Sequence, residues 1–259
     1  MDGLNRRDVV TGLVRLPLAA LPLAAILADP RLARAAADTL ATKTLDLPSG
    51  RRVSAALAEP DAPARASVLL IHEWWGLNDQ IKSVAFDFAK QGYRALAVDL
   101  YGGRSTTSRE EAPKLMGAVN DAEAVETLTG WADWLALAGP GLALGTVGWC
   151  FGGSWSLKIS TETPVDATVI YYGRVDLPAA RLENLVGPVL GHFAEHDKWI
   201  NHEMIAGFEA NMDAAGKELT VHWYDADHAF ANPTSARYDE PAASLAWERT
   251  TGFFAENLS

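Results

Sequence analysis

The sequence predicts an α/β protein: a mostly parallel central sheet flanked by helices on both faces. Three observations carry this. Short apolar runs of strand length recur along the chain, stretches of helical period lie between them, and no linker, internal repeat or low-complexity tract divides the 259 residues. A single domain is the expectation at this length.

The elements follow in order. Residues 44–47 and 53–58 flank Pro48-Ser49-Gly50 and read as a first hairpin. Buried strands are expected at 68–71, 95–98, 146–148, 167–171 and 189–193, because each run is apolar throughout, as strands covered on both faces are. A last strand is expected at 220–224. Helices are expected at 79–91, 123–137, 154–161, 202–215 and 243–256. Ligands bind such sheets beyond the carboxyl ends of the strands, so the residues leaving each strand are the ones to inspect.

Ahead of the fold lies a different kind of sequence. Asn5-Arg6-Arg7-Asp8 leads into an apolar run over residues 16–28 and then to Ala33-Arg34-Ala35. This basic, apolar and small-residue order is that of a cleavable export signal of the twin-arginine type. A membrane anchor needs about 20 apolar residues, whereas this run is shorter and carries Pro17 and Pro22. The expectation is a signal over residues 1–35, a mature domain over 36–259, and a periplasmic or secreted protein without stable membrane association. The net charge of -11 opposes nucleic acid as a partner.

Cys150 is the only cysteine, so no intrachain disulfide forms and thiol redox work lacks a resolving partner. It sits in Gly148-Trp149-Cys150-Phe151-Gly152, which reads strand, sharp turn, helix: a nucleophile elbow with cysteine at its tip. The glycines leave room for a strained turn. The following helix N-terminus favours thiolate over thiol. An acid and a base should follow later strands in that order. Asp197 follows the run 189–193, and His228 follows 220–224. Asp197 would orient the imidazole, while His228 takes the thiol proton and later activates water. His192, His202 and His222 are weaker candidates from their places on strands and a helix. A metal site at His192, His196 and Asp197 or Asp227 lacks the helical i, i+4 spacing that would converge two rings, so no metal is expected. The oxyanion would be met by the backbone N–H of Phe151 and, from the loop after the run 68–71, of Trp74.

These residues resemble the dienelactone hydrolase (carboxymethylenebutenolidase) family. The likeness runs from about Leu45 onward through His72-Glu73-Trp74-Trp75-Gly76-Leu77-Asn78, Asp99-Leu100-Tyr101-Gly102-Gly103-Arg104, the Cys150 elbow, His196-Asp197 and Asp227-His228-Ala229-Phe230. It implies an α/β-hydrolase fold, a Cys150–His228–Asp197 triad, no cofactor, and a small-molecule ester or lactone as substrate. It further implies that Glu73 contacts the nucleophile at rest. Studied members hold a substrate carboxylate with two arginines; Arg104 fits the first position and Asn232 stands at the second. Neutral esters are therefore expected to be accepted at least as well as carboxylated ones. Trp75, Trp149 and Tyr172 are expected to line the acyl site, and a monomer is the expected state. A catalytically inactive binding protein on the same fold would show damage to the elbow or the triad, and every part is intact.

Overall fold

A computed structural model describes residues 17–258. Two short helices, α1 (Leu23–Ala28) and α2 (Pro30–Ala37), precede the hairpin of β1 (Ala41–Asp46) and β2 (Arg52–Ala58). The chain continues through β3 (Ala66–Ile71), α3 (Asp79–Lys90), β4 (Tyr93–Val98), α4 (Ala112–Gly117), α5 (Asp121–Ala138) and β5 (Leu144–Trp149). It ends with α6 (Phe151–Ser160), β6 (Ala167–Tyr171), α7 (Ala179–Leu182), β7 (Val189–Ala194), α8 (His202–Ala214), β8 (Leu219–Tyr224) and α9 (Glu240–Asn257).

The eight strands form one sheet in the order β1-β2-β4-β3-β5-β6-β7-β8. β2 runs antiparallel to both β1 and β4, and the remaining neighbours are parallel. Chain order reverses between β3 and β5, which places the ends of these two strands side by side at the switch point. His72 leaves β3 there, and Cys150 leaves β5.

The all-apolar strand runs bury both faces, as expected. Along β3, Val68 and Leu70 pack with Phe88 of α3 and Phe254 of α9, while Leu69 and Ile71 pack with Leu128 and Trp131 of α5. A third core, with Phe193 and Phe208, lies under α8. Asparagine or aspartate caps open the longer helices: Asn78 accepts from Ile81 N–H, and Asn120, Asn201 and Asp239 act alike.

Helix α6 differs from expectation at its start. α6 starts at Phe151 rather than at 154, because the elbow is a single residue, Cys150, and the helix follows at once. Gly152 and Gly153 lie inside that helix. A Cβ on Gly152 would stand 2.1 Å from the Ile71 carbonyl oxygen, so the glycine lets α6 pass directly over the end of β3.

Arg6 and Arg7 lie outside the described residues. Within them, α1 and α2 rest on α3: Ile26 and Ala36 are fully buried, and Ser83 Oγ donates to the Ala33 carbonyl at 3.0 Å. Among the described residues no helix is long and apolar enough to cross a membrane.

Candidate active site

Cys150 occupies a left-handed backbone conformation, φ 55° and ψ −115°, between β5 and α6. An L-residue is strained there, and Gly148 shows why it persists. A Cβ at Gly148 would lie 1.9 Å from the Gly152 carbonyl oxygen, so only glycine lets strand and helix meet this closely. Cys150 N–H donates to the Tyr171 carbonyl at 2.9 Å, tying the turn to β6. Two further non-glycine residues among those described have positive φ, Tyr172 at 39° and Ala229 at 66°. Both adjoin the same site, so backbone strain is concentrated around the thiol.

His228, four residues beyond β8, reaches both partners expected of it. Its Nε2 lies 3.2 Å from Cys150 Sγ, and its Nδ1 lies 2.5 Å from Asp197 Oδ2. Asp197 is buried after β7, where its Oδ1 accepts from Trp199 N–H at 2.9 Å and Ile200 N–H at 3.1 Å. Burial alone would push this carboxyl up, but His228 and the two amides outweigh it and hold the group below the usual carboxylate range. Burial also opposes a charge on His228, yet hydrogen bonds to Asp197 and Cys150 prevail and raise it to about 10. The two directions agree, describing an imidazolium sandwiched between acceptors.

Phe151 N–H, at the first turn of α6, and Trp74 N–H, in the loop after β3, donate to no group among the described residues. His72 braces that loop from below, with Nδ1 2.6 Å from the Glu73 carbonyl and Nε2 3.2 Å from Leu100 N–H. Since Nε2 accepts the amide, Nδ1 carries the proton, and burial keeps this ring neutral.

Glu73 corrects one expectation. It is buried, but its carboxylate is not bonded to the thiol. Tyr172 Oη donates to Oε1 at 3.1 Å and Asn232 Nδ2 donates to Oε2 at 2.5 Å. Burial raises this carboxyl above its usual range, and the two donors only partly offset it.

A cavity of about 480 Å³ opens over the thiol. Trp75 and Tyr172 line it as expected, together with Glu73, Trp74, Phe151 and His228. Three other residues are placed elsewhere. Trp149 precedes Cys150 on β5 and so points to the opposite face of the sheet, stacked on Tyr171 at 5.4 Å in the core beneath α3 and α9. Arg104 lines a separate cavity beside β2 and α5, because the left-handed Gly102 and Gly103 turn its loop outward. Asn232 is fully buried and committed to Glu73. The loops also bring Arg109, Arg174, Trp199, Met116 and Arg237 to this cavity, residues that no sequence motif singles out. Only Trp199 carried a signal, standing two residues after Asp197.

The rings considered for a metal site diverge. His192 is buried between Tyr224 Oη and Thr250 Oγ1, while His196 is exposed against Asp225. No cluster of three metal-ligating side chains occurs among the described residues.

Comparison with known proteins places this geometry in context. The model of the dienelactone hydrolase family matches residues 53–258. A carboxymethylenebutenolidase of Pseudomonas putida is 31% identical over 220 residues, with 77% of this chain and 90% of the relative covered. A protein of Saccharolobus solfataricus assigned as a carboxymethylenebutenolidase is 29% identical over 246 residues, covering 79% of this chain and 94% of its own. A solved structure from Klebsiella pneumoniae, of a protein assigned as a dienelactone hydrolase, superposes with a TM-score of 0.74 at 26% identity. It covers 84% of this chain and 99% of its own.

Proposed function

This chain belongs to the dienelactone hydrolase family, and from that premise we propose that it hydrolyses a small-molecule ester or lactone through a thioester on Cys150. The observation that carries the reading is His228 standing between Cys150 Sγ, at 3.2 Å, and Asp197 Oδ2, at 2.5 Å. A nucleophile, a base and an orienting acid in hydrogen-bond contact are what covalent acyl transfer requires.

In this mechanism His228 already carries the thiol proton at rest, and Sγ attacks the substrate carbonyl. The oxyanion forms against the N–H groups of Phe151 and Trp74. Collapse breaks the C–O bond, His228 gives its proton to the departing alkoxide, and the acyl group remains on sulfur. Water then attacks the thioester while His228 accepts its proton. The carboxylic acid leaves, and Sγ again faces a protonated His228. Asp197 stays ionised throughout and fixes which imidazole nitrogen faces the sulfur. Glu73, held off the thiol by Asn232 and Tyr172, forms the floor of the cavity.

Initial rates on p-nitrophenyl acetate test the proposal. Cys150→Ala and His228→Ala are each expected to lose about a thousandfold or more in kcat, with thermal unfolding still cooperative. Undiminished hydrolysis by Cys150→Ala would remove the basis of the reading.

A further inference from the structure

The catalytic cavity changes character from floor to mouth. Its floor holds the thiol, His228 and the buried Glu73 carboxylate, and its walls are aromatic. At the mouth lie Met116 and Trp199, among the exposed large apolar side chains of the described residues at 37% and 59%. Two guanidinium groups, Arg109 and Arg237, line the same opening. Several arginines pair with carboxylates, as Arg52 does with Asp46 at 2.7 Å and, on this same rim, Arg174 with Asp176 at 2.7 Å, whereas Arg65 and Arg249 lie against the rings of Tyr93 and Tyr224. Arg109 and Arg237 form no ion pair among the described residues. In a chain with 33 acidic and 22 basic residues, two unmatched cations facing one cavity call for an anion from outside.

The spacing says where that anion belongs. The Arg237 guanidinium lies 5.6 Å from the centre of the Trp199 ring, and Trp199 meets His228 edge-on at 5.5 Å. One imidazole and one indole therefore separate the thiol from this cation. An anion next to the scissile carbonyl would instead face Glu73, where the low dielectric of a buried site strengthens like-charge repulsion. Neither position that the family resemblance offers for a substrate carboxylate is available here: Arg104 faces another cavity and Asn232 is bonded to Glu73.

We propose that the substrate is an ester or lactone whose anionic group lies beyond an apolar body, remote from the reacting carbonyl, and is received by Arg237 and Arg109. The apolar body lies along Trp74, Trp75 and Trp199, and the guanidinium fork pairs with the distal carboxylate. The inference rests on Cys150 hydrolysis for its kinetic meaning, and its binding content is tested separately.

The test compares two esters with the same scissile bond, the p-nitrophenyl monoester of suberate and p-nitrophenyl octanoate. Wild type is expected to favour the carboxylated ester by about tenfold or more in kcat/KM, mainly through KM, with the advantage shrinking as NaCl rises. Arg237→Gln and Arg109→Gln should each lower the ratio of the two kcat/KM values, and the double variant should bring it near one. Arg104→Gln should leave the ratio as it is. A ratio of one in wild type, or a ratio indifferent to both substitutions, overturns the proposal. Calorimetry on Cys150→Ala with suberic monoanilide and octananilide reads the same preference without turnover. Equal affinities there overturn the anion site, whereas a retained preference in a protein that hydrolyses neither ester overturns only the hydrolase reading.

Discussion

The side-chain amide of Asn232 donates to Glu73 Oε2 at 2.5 Å across 159 residues of chain, with both groups buried. Together with Tyr172 Oη it gives each carboxylate oxygen one donor, which is how a buried acid next to the nucleophile is tolerated. Removing the amide leaves that oxygen unsatisfied. Asn232→Leu is expected to cost about 1–3 kcal/mol in urea unfolding at pH 7. Combining it with Glu73→Gln should recover part of the loss, because the uncompensated charge is gone. A cycle with no coupling between the two positions would show that the contact is incidental.

His228 makes stability depend on pH in a definite direction. Its folded pKa of about 10 lies above the roughly 6.5 of a free imidazole, so between these values the folded state holds a proton that the unfolded chain has released. The stabilisation is fully present below about pH 6.5 and is lost as pH rises towards 10. Asp197 acts at the other end, where its lowered pKa gives stability that is lost as pH falls below about 3.8. The urea midpoint of wild type should therefore drop between pH 6.5 and 10, and that of His228→Gln should drop less. Equal slopes in both proteins would contradict the ion pair.

Two glycine substitutions should have opposite signs. Gly148→Ala forces a methyl group to within 1.9 Å of the Gly152 carbonyl oxygen, and the elbow has no room to give. It is expected to cost about 3 kcal/mol or more and to depress kcat. Gly207→Ala, on the exposed face of α8 with nothing within 4 Å, should stabilise by about 0.5–1 kcal/mol. Thermal unfolding of both proteins checks the contrast, and a well-folded, fully active Gly148→Ala would contradict the packing argument.

Export is a proposal resting on Arg6-Arg7, the apolar run and Ala33-Arg34-Ala35. If the chain is cut near Ala36, α1 and most of α2 leave the surface of α3, and Ile26 and Ala33 are lost from the packing. None of these residues lines the catalytic cavity. A chain starting at Ala36 is therefore expected to unfold at a lower temperature than the full chain while hydrolysing esters at a similar rate. Amino-terminal sequencing of protein from the native host's cell envelope should begin within a few residues of Ala36; an intact Met1 found only in the cytosol would contradict export.

Much of this architecture could be read from the residues, and the reasons are local. Apolar runs marked the strands because parallel strands are buried on both faces, and Gly148-x-Cys150-x-Gly152 marked the elbow because only glycine fits the crossing of β5 and α6. Cys150, Asp197 and His228 were legible because each follows a strand at the same edge of the sheet. The reading failed where position depends on a turn or a loop. Trp149 was expected in the acyl site although the two-residue period of β5 turns it into the core. Arg104 was expected there although Gly102 and Gly103 redirect its loop. Arg109 and Arg237 were missed because they reach the cavity from loops more than 120 residues apart, which no spacing rule connects. The expectation that neutral esters are accepted at least as well as carboxylated ones rested on Arg104 and Asn232, and the proposed anion site at Arg109 and Arg237 predicts the opposite.

The central claim is that acyl transfer passes through sulfur, and mapping the covalent intermediate tests it most directly. Wild type mixed with excess p-nitrophenyl ester and quenched in acid within milliseconds is expected to release a burst of nitrophenolate. Peptide mass spectrometry should find one acyl group, on the peptide carrying Cys150, cleaved by hydroxylamine as thioesters are. Cys150→Ala should show neither burst nor acyl group. Steady turnover in Cys150→Ala, or a wild-type burst with the acyl group on any other residue, would contradict the account.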